Sequence, residues 1–175
     1  MTEHNPKAFL PLNIAVLVVS DSRTESTDRS GKLLEQRLLE AGHKLYEKRI
    51  VPDDIYRIRA VVAGWCADEE VNAVLITGGT GVTGRDGTPE AVRVLFEKEI
   101  EGFGELFRMI SYEEIGTSSI QSRAIAGVSN GTYIFCMPGS TGACATGWDR
   151  IIAAQLDYRT NPCNLVELMP RLRER

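Results

Sequence analysis

The sequence predicts an α/β fold, a doubly wound and mostly parallel sheet with helices on both faces. Continuous runs of apolar, largely β-branched residues at 13–19 and 73–77 are typical of strands buried on both sides. Segments in which apolar residues recur at helical spacing alternate with such runs, as they do in parallel sheets. No repeat or linker-like tract divides the 175 residues, so we expect one domain over residues 1–175, with an ordered core of about 13–164.

The first half of the chain predicts three strands separated by two helices. Strands are expected at residues 13–19, 44–51 and 73–77, and the alternating pattern of the second places it nearer a sheet edge. Ser30 is positioned to cap a helix that continues to about Ala41, with Gly42 as its stop. Asp53 opens the second helix, in which four apolar residues recur at helical spacing. These residues are Ile55, Ile58, Val62 and Trp65.

The second half predicts further helices and a fourth strand. Thr88 as N-cap, with Pro89 at the first helical position, indicates a helix start. A strand is expected at 132–136, followed by a helix from about Thr141 to Leu156. Between residues 102 and 130 we predict one or two helices, because two sets of apolar residues recur at helical spacing. The sets are Phe103, Leu106, Phe107 and Ile110, and then Ile120, Ala124 and Val128.

Charge and the start of the chain argue against two kinds of partner. The formal net charge is −4 and no basic run is present, so we expect neither nucleic acid nor a membrane surface as a partner. Residues 1–6 have neither the basic nor the apolar region of a signal peptide, and the early apolar run is far shorter than the ~20 residues of a membrane span. We therefore expect a cytoplasmic protein.

The cysteines and histidines form no metal-binding pattern. The four cysteines contain no C-x-x-C pair and the two histidines lie far from them in sequence, which favours reduced, packed thiols over a zinc site. His43 follows the end of a predicted helix, where a cation near the last carbonyls is the simplest interpretation. The residues concerned are Cys66, Cys136, Cys144, Cys163, His4 and His43.

Functional residues are expected in the loops that follow the strands, because ligands of such sheets lie outside the carboxyl ends of the strands. Glycine and hydroxyl residues ahead of a helix offer free N–H donors to phosphates. The loops contain Ser20, Asp21, Ser30 and Gly31 after the first strand, Asp53 and Asp54 after the second, Gly78, Gly79, Thr80, Gly81, Arg85 and Asp86 after the third, and Pro138, Gly139 and Ser140 after the fourth.

The loop after the third strand carries more glycine than a connection needs: Gly78, Gly79, Gly81, Gly84 and Gly87. Each glycine costs roughly 0.5–1 kcal/mol relative to alanine, so we expect the backbone to approach a ligand closely here. Carboxylates beside a phosphate require a divalent cation between them, and Asp53 and Asp86 are the candidates to hold it. Taken singly, Asp53 and Ser30 are more simply explained as helix caps, and Gly139 as a turn residue.

Two generic nucleotide motifs overlap this loop, and neither is complete. Gly79, Gly81 and Gly84 match the spacing of a dinucleotide fingerprint, but the helix starts only at Thr88, and no strand ends about 20 residues further on. NAD is therefore not expected. Gly79 and Gly84 also match half of a P-loop, but Arg85 and Asp86 stand where Lys and Ser or Thr are required.

In combination, several motifs resemble the MoaB/MogA family of molybdenum cofactor biosynthesis proteins, closer to the MoaB branch. The resemblance covers about residues 13–164. The motifs are Val51-Pro52-Asp53, Ile76 to Gly81, Arg85-Asp86, Thr88-Pro89-Glu90-Ala91, Gly102-Phe103-Gly104-Glu105, Ser122-Arg123 and Met137-Pro138-Gly139-Ser140.

The resemblance implies a molybdopterin-binding fold in a homotrimer or hexamer, with other proteins of the molybdenum cofactor pathway as further partners. It implies a nucleotidyltransferase that uses ATP and Mg²⁺ to transfer AMP to the terminal phosphate of molybdopterin, releasing pyrophosphate. Asp53 and Asp86 match the family's functional aspartates, and our hypothesis is that Asp86 binds Mg²⁺ while Asp53 orients the metal or the pterin. Arg85 is either a phosphate partner or a solvated surface residue.

The remaining candidate site residues are carried over from the family's loops. They are Ser20, Asp21, Ser30 and Gly31 in the first loop, Gly78, Gly79, Thr80, Gly81 and Thr88 around the third, and Pro138, Gly139 and Ser140 in the second phosphate loop.

The chain departs from the adenylating relatives in one loop. Those relatives tend to carry a Pro and then a Lys where this chain has Thr141 and Gly142, and loss of that cation should weaken phosphate capture. A rival hypothesis is therefore a protein that binds molybdopterin or a precursor without turnover. Intact Asp53 and Asp86 favour the enzyme, and Gly142 favours the binding protein.

Overall fold

The computed structural model describes residues 7–174, and within this range it contains a six-stranded sheet. The strand order is β2-β1-β3-β6-β5-β4. The strands are β1 (Asn13–Val19), β2 (Lys44–Val51), β3 (Ala73–Thr77), β4 (Lys98–Glu99), β5 (Ile125–Ser129) and β6 (Thr132–Met137). All four strands predicted from the sequence are confirmed as β1, β2, β3 and β6, with β2 at an edge of the sheet.

The sheet is mixed. Strands β2, β1, β3 and β6 pair in parallel, whereas β5 pairs antiparallel with both β6 and β4. The α/β prediction is confirmed. Of the one or two helices predicted between residues 102 and 130, one is present at Glu101–Ile115, whereas a second helix along Ile120, Ala124 and Val128 is not formed. The apolar set of Ile120, Ala124 and Val128 does not lie on one helix, because residues 125–129 form a completely buried strand.

Helices cover both faces of the sheet. They are α1 (Ser30–Glu40), α2 (Ile55–Ala67), α3 (Thr88–Arg93), α4 (Glu101–Ile115) and α5 (Thr141–Gly147), which continues through a π-helical turn (Trp148–Ile152) into α6 (Ala153–Gln155), and α7 (Leu165–Leu168). Short 3-10 segments follow α4 (Gly116–Gln121) and α7 (Met169–Arg171). No helix in residues 7–174 has the length and apolar character needed to cross a bilayer.

Two hydrophobic clusters account for the layered arrangement. On one face, alternate strand residues such as Val16 and Leu75 pack against α1, α4 and α5. On the other face, the intervening residues such as Leu17 and Ile76 pack against α2 and α3. Burial of apolar surface on both sides of the central strands explains their unbroken apolar sequences.

Three helices begin at the predicted places, but different residues occupy the cap positions. The N-cap of α1 is Arg29 rather than Ser30, and a carboxylate oxygen of Asp28 accepts the backbone N–H of Gly31. Asp54 rather than Asp53 caps α2, which leaves the Asp53 carboxylate available for other interactions. For α3 the N-cap is Gly87, one residue before Thr88.

His43 does not act as a cation at the end of α1. The residue is buried, and its Nδ1 accepts the backbone N–H of Leu12 at 3.1 Å. Burial lowers the pKa of this imidazole below its ordinary value, against the opposing effect of Asp157. The neutral form is therefore favoured, and the residue serves packing.

The loop between β1 and α1 is tied to β2 by an ion pair network centred on Lys48. Lys48 Nζ lies 3.1 Å from a carboxylate oxygen of Glu35, 3.2 Å from Glu25 and 3.7 Å from Asp28. The side chain of Asp28 is fully buried. This network fixes the loop that follows β1, and that loop borders the functional site.

Candidate functional site

A cavity of about 630 Å³, here called the main cavity, lies where β1, β3 and β6 end. The chain goes outward from β1 to β2 and then crosses to β3 on the other side of β1, so the cavity lies at the point where strand order reverses. Its lining comprises Val19, Ser20, Asp21, Asp53, Gly78, Gly79, Thr80, Gly81, Asp86, Phe107, Ser111, Glu114, Ile115, Ser118, Gln121, Ser122, Pro138, Gly139, Ser140, Gly142 and Ala143.

Gly78 and Gly79 form the floor between the two central strands. Gly78 has φ +103°, and a Cβ there would lie 2.2 Å from the backbone oxygen of Val19. Gly79 has φ +66°, and a Cβ there would lie 2.3 Å from Thr88 Oγ1. Any side chain at these positions would be strained and would clash, so the bare backbone is fixed against the end of β1.

Neighbouring protein atoms therefore explain much of the glycine content of this loop. A Cβ on Gly81 would lie 2.7 Å from a carboxylate oxygen of Asp86, and one on Gly87 would lie 2.8 Å from the side chain of Ile55. Only Gly84, among the five glycines of this loop, has open space around it. The sequence favoured close approach of a ligand as the reason for these glycines, whereas contacts within the protein account for four of the five.

Asp53 and Asp86 line the same cavity. Asp53 Oδ1 is buried and has no hydrogen-bond partner in the described part of the chain. Partial burial raises the pKa of the Asp53 carboxyl above its ordinary value, and the charges of Asp86 and Asp21 add to this effect. The carboxylate is thus poised to gain from a cation at this place.

Asp86 lies in a different local environment. One of its carboxylate oxygens accepts the Thr83 hydroxyl at 2.6 Å and the Thr83 backbone N–H at 3.0 Å. The hydroxyl hydrogen bond holds the pKa of Asp86 below its ordinary value. Asp86 therefore remains ionised at neutral pH beside a carboxyl whose pKa is shifted upward.

Asp21 and Arg85 connect the loops that carry these acids. Asp21 Oδ1 accepts the backbone N–H of Asp53 at 3.0 Å. Arg85 donates from Nε and Nη2 to the backbone oxygen of Asp53, at 3.0 and 2.9 Å. Arg85 does not line the cavity, so its visible contacts position the Asp53 peptide rather than a ligand.

Arg123 performs a similar task on the other side of the loop after β3. Its Nε donates to the backbone oxygen of Gly81 at 2.7 Å, and its Nη2 donates to the backbone oxygen of Asp86 at 2.9 Å. Its Nη1 pairs with the Glu90 carboxylate. One side chain thus spans the loop from Gly81 to Asp86. Sequence reasoning had only the Ser122-Arg123 motif and gave Arg123 no role.

The remaining predicted residues separate into two groups. Ser20, Gly139 and Ser140 line both the main cavity and a smaller one beside it, and Ser30 lines only the smaller one. Gly31 and Thr88 line neither. A Cβ on Gly31 would lie 2.4 Å from Val18 Cγ2, and the buried Thr88 hydroxyl donates to the Gly78 oxygen at 2.8 Å.

The wall formed by α4 and the following 3-10 segment was missed by sequence reasoning. It contributes Ser111, Glu114, Ser118 and Gln121. The Glu114 carboxylate accepts the hydroxyl of Thr146 at 2.9 Å from one oxygen and 3.1 Å from the other. These side chains add hydrogen-bonding groups to the lining of the main cavity.

The donor set around Asp53 and Asp86 fits Mg²⁺. Magnesium prefers oxygen ligands and typically takes one or two protein carboxylates, with water and substrate phosphates completing its coordination. In residues 7–174 no group of three or more histidine, cysteine or acidic side chains is arranged to hold a metal. Such a cation would therefore depend on oxygens brought by the ligand.

The cysteines lie apart from the cavity. Cys66, Cys136 and Cys144 are buried and Cys163 is exposed, all as free thiols. Burial raises the pKa of the Cys144 thiol to about 11, although a hydrogen bond with Thr77 opposes the shift. Buried thiols of this kind are poor nucleophiles at neutral pH.

The fold and cavity define an α/β protein with a cavity at the switch point of its sheet, lined by glycine-rich loops and acidic side chains. Residues 15–158 match a family model described as "Probable molybdopterin binding domain". The chain therefore belongs to this family of molybdenum cofactor biosynthesis proteins.

Relatives place the chain in the MoaB branch. It is 58% identical over 156 residues to "Molybdenum cofactor biosynthesis protein B" of Escherichia coli (strain K12), covering 89% of this chain and 92% of that protein. A crystal structure of a protein with the same name has a TM-score of 0.86 and 43% identity, covering 97% of this chain and 100% of that one. The tungsten cofactor synthesizing protein MoaB from Pyrococcus furiosus has a TM-score of 0.77 and 32% identity, covering 94% and 98%.

Proposed function

We propose that this protein is a cytoplasmic molybdopterin adenylyltransferase that uses ATP and Mg²⁺ in molybdenum cofactor biosynthesis. The observation that carries the proposal is the position of Asp53 and Asp86, which face one cavity beside the Gly78 to Gly81 backbone. Family membership supports molybdopterin as the second substrate. Other proteins of the same pathway are the expected source of substrate and recipient of product.

The charges of the main cavity favour a polyphosphate that arrives with its own cation. Its lining includes four acidic residues and no lysine or arginine: Asp21, Asp53, Asp86 and Glu114. A bare polyphosphate would be repelled here, whereas the Mg²⁺ complex of ATP offsets these negative charges. Asp53 gains most, because its buried oxygen has no other partner in the described chain.

The reaction needs two anions held in line. A terminal phosphate oxygen of molybdopterin attacks the α-phosphorus of ATP and forms the new P–O bond, the bond from the α-phosphorus to the bridging oxygen breaks, and pyrophosphate leaves with that electron pair. When bound, Mg²⁺ supplies Lewis-acid stabilisation of the charge on the phosphate oxygens. Asp53 and Asp86 would hold it, and the backbone at Gly79 to Gly81 positions the reacting groups. No covalent nucleophile is required.

The experiment incubates purified protein with molybdopterin, Mg²⁺ and labelled ATP, and follows pyrophosphate release. We expect release by the wild type and a loss of at least about 100-fold in Asp86→Asn, as for removal of a group that acts on the transition state. Asp149→Asn is the matched control, since Asp149 is exposed and lines neither cavity. Unchanged pyrophosphate release by Asp86→Asn would show that Asp86 takes no part in the reaction.

A second candidate function is molybdopterin binding without turnover. Gly142 favours it, because this residue lines the main cavity and brings no cation to the loop after β6. The same incubation separates the two functions. Tight molybdopterin binding by the wild type without pyrophosphate release would favour the binding protein.

We extend the proposal to a homo-oligomer, a trimer or a hexamer. Leu106, Met109 and Tyr112 on α4 are large apolar side chains spaced three residues apart and exposed at the surface. A second copy of the chain is the occupant that the family resemblance implies. Sedimentation should show an oligomer for the wild type and smaller species for Met109→Glu, while a monomeric wild type would contradict the extension.

A further inference from the structure

A second cavity of about 320 Å³ adjoins the main one. The two share Val19, Ser20, Gly139 and Ser140 in their walls. The smaller cavity is completed by Val18, Arg23, Arg29, Ser30, Thr77 and Thr141. We propose that it is an anion subsite in which Arg23 and Arg29 hold a phosphate group of the ligand bound in the main cavity.

The proposal depends on opposite charges in the two cavities. The main cavity is lined by four acidic residues and no basic residue, whereas the smaller one is lined by two arginines and no acidic residue. Neither Arg23 nor Arg29 forms an ion pair within residues 7–174. Most other arginines do, as Arg37 does with Asp149 and Arg93 with Glu99.

Hydroxyl groups complete the donor set of the smaller cavity. Ser20 Oγ accepts the backbone N–H groups of Ser22 and Arg23, at 3.2 and 3.1 Å, and Ser140 Oγ accepts that of Ala143 at 3.1 Å. Because these oxygens act as acceptors toward the protein, their hydroxyl hydrogens remain free to donate to an anion. Ser30 is 7% exposed and adds a third hydroxyl to the same wall.

The loop that carries both arginines is fixed in place before any ligand binds. Lys48 joins Glu25 and Asp28 to β2, and Thr24 accepts backbone N–H groups of both Thr27 and Asp28 through its own carbonyl. A loop that is already ordered loses little conformational entropy when its arginines bind an anion. Planar guanidinium groups are well suited to bind phosphate oxygens in pairs.

The chemical class of the occupant is a phosphate ester or a pyrophosphoryl group. This inference rests on the proposed function only in that the ligand carries phosphate. Two sources supply the same chemistry, namely the outer phosphates of ATP and the terminal phosphate of molybdopterin. Since Ser20 and Ser140 belong to both cavities, one ligand or two adjoining ligands can extend from the acidic cavity into the basic one.

The test is calorimetric binding of inorganic pyrophosphate, ATP, AMP and molybdopterin to Arg23→Gln, Arg29→Gln and the double variant, with Mg²⁺ present. The matched control is Arg150→Gln, because Arg150 is exposed and lines neither cavity. Circular dichroism checks that each variant is folded. We expect the double variant to bind pyrophosphate about 10- to 100-fold more weakly, as for the loss of charged hydrogen bonds.

The ligands distinguish the sources of the phosphate. Weaker binding of ATP with unchanged binding of AMP identifies the outer phosphates of the nucleotide as the occupant, and weaker binding of molybdopterin alone identifies the pterin phosphate. Unchanged affinity for all four ligands in the folded double variant would overturn the proposal. Because pyrophosphate binding needs no turnover, the subsite is confirmed or refuted even if the protein transfers no adenylyl group.

Discussion

Replacing Arg123 by Gln tests whether the loop that carries Asp86 is held in place by one side chain. Arg123 donates to two backbone oxygens of that loop, at 2.7 and 2.9 Å, and pairs with Glu90. Two hydrogen bonds from a charged donor to backbone oxygens contribute about 1.5 kcal/mol each. The ion pair with the half-exposed Glu90 adds no more than about 0.5 kcal/mol.

We therefore expect Arg123→Gln to lose about 3 kcal/mol of unfolding free energy. For a chain of this size that corresponds to a decrease in Tm of about 6–12 °C. The Mg²⁺-dependent affinity for ATP should also fall, since Gly81 and Asp86 would no longer be held at a fixed separation. Thermal unfolding followed by circular dichroism and titration calorimetry measure the two effects.

Arg93→Gln is the matched control for Arg123→Gln. Arg93 is half-exposed and pairs with Glu99 at the surface, so its loss should cost at most about 1 kcal/mol. A lysine at position 123 keeps the charge but cannot reach two carbonyls and a carboxylate together, and we expect an intermediate Tm. If Arg123→Gln unfolded at the wild-type temperature and bound ATP normally, the role assigned to this side chain would be wrong.

Three further predictions concern the same site and its supports. Gly78→Ala should destabilise the protein by at least about 2 kcal/mol in denaturant unfolding, because of its positive φ and a backbone clash, whereas Gly84→Ala should be near neutral; equal effects would refute the argument. Because the pKa of the Asp53 carboxyl is raised, the folded state binds the carboxyl proton more tightly than the unfolded state does. The free energy of unfolding therefore decreases as pH rises above about 4. Asp53→Asn should therefore raise Tm at pH 7 and leave it unchanged near pH 3, and a lower Tm at pH 7 would contradict this sign. Lys48→Met should cost about 3 kcal/mol, because it leaves the buried Asp28 carboxylate without its cation; the exposed Lys44→Met is the control, and equal stability of the two would refute the role of the network.

The strands with unbroken apolar sequences were predictable, and β5 was not. β1 and β3 are buried on both faces, and their composition shows it. The β5 sequence contains Ala126 and Gly127, which have little strand preference. Gly127 is required because a Cβ would lie 2.5 Å from the ring of Phe96, a contact made by distant parts of the chain that no local pattern reveals.

Helix caps show the limit of local reasoning at single residues. Asp53 and Asp54 are both able to cap α2, and only the structure shows that Asp54 accepts the N–H of Arg57. Near α1, the side-chain oxygen that accepts a helix N–H belongs to Asp28 rather than to Ser30. In each case the side chain of a neighbouring residue accepts the helix N–H. The predicted cap residues instead line cavities, Asp53 the main cavity and Ser30 the smaller one.

The loops around the cavity were predictable because strand ends gather at one edge of a parallel sheet. The wall from α4 was not, since Ser111 and Glu114 have the same composition as a solvated helix face. Arg23 and Arg29 also gave no signal, because exposed arginines are common in polar loops. Their arrangement becomes visible only when the β1 and β6 loops are placed side by side.

The most direct test of the central claim is the affinity for ATP of Asp53→Asn, Asp86→Asn and the double variant, measured with and without Mg²⁺. If both carboxylates hold one metal-bridged polyphosphate, each single variant binds ATP more weakly with Mg²⁺ but as tightly as the wild type, or more tightly, without it. The double variant is then little worse than either single variant, because the two acids act as a unit. Losses that are additive and independent of Mg²⁺ would contradict the claim.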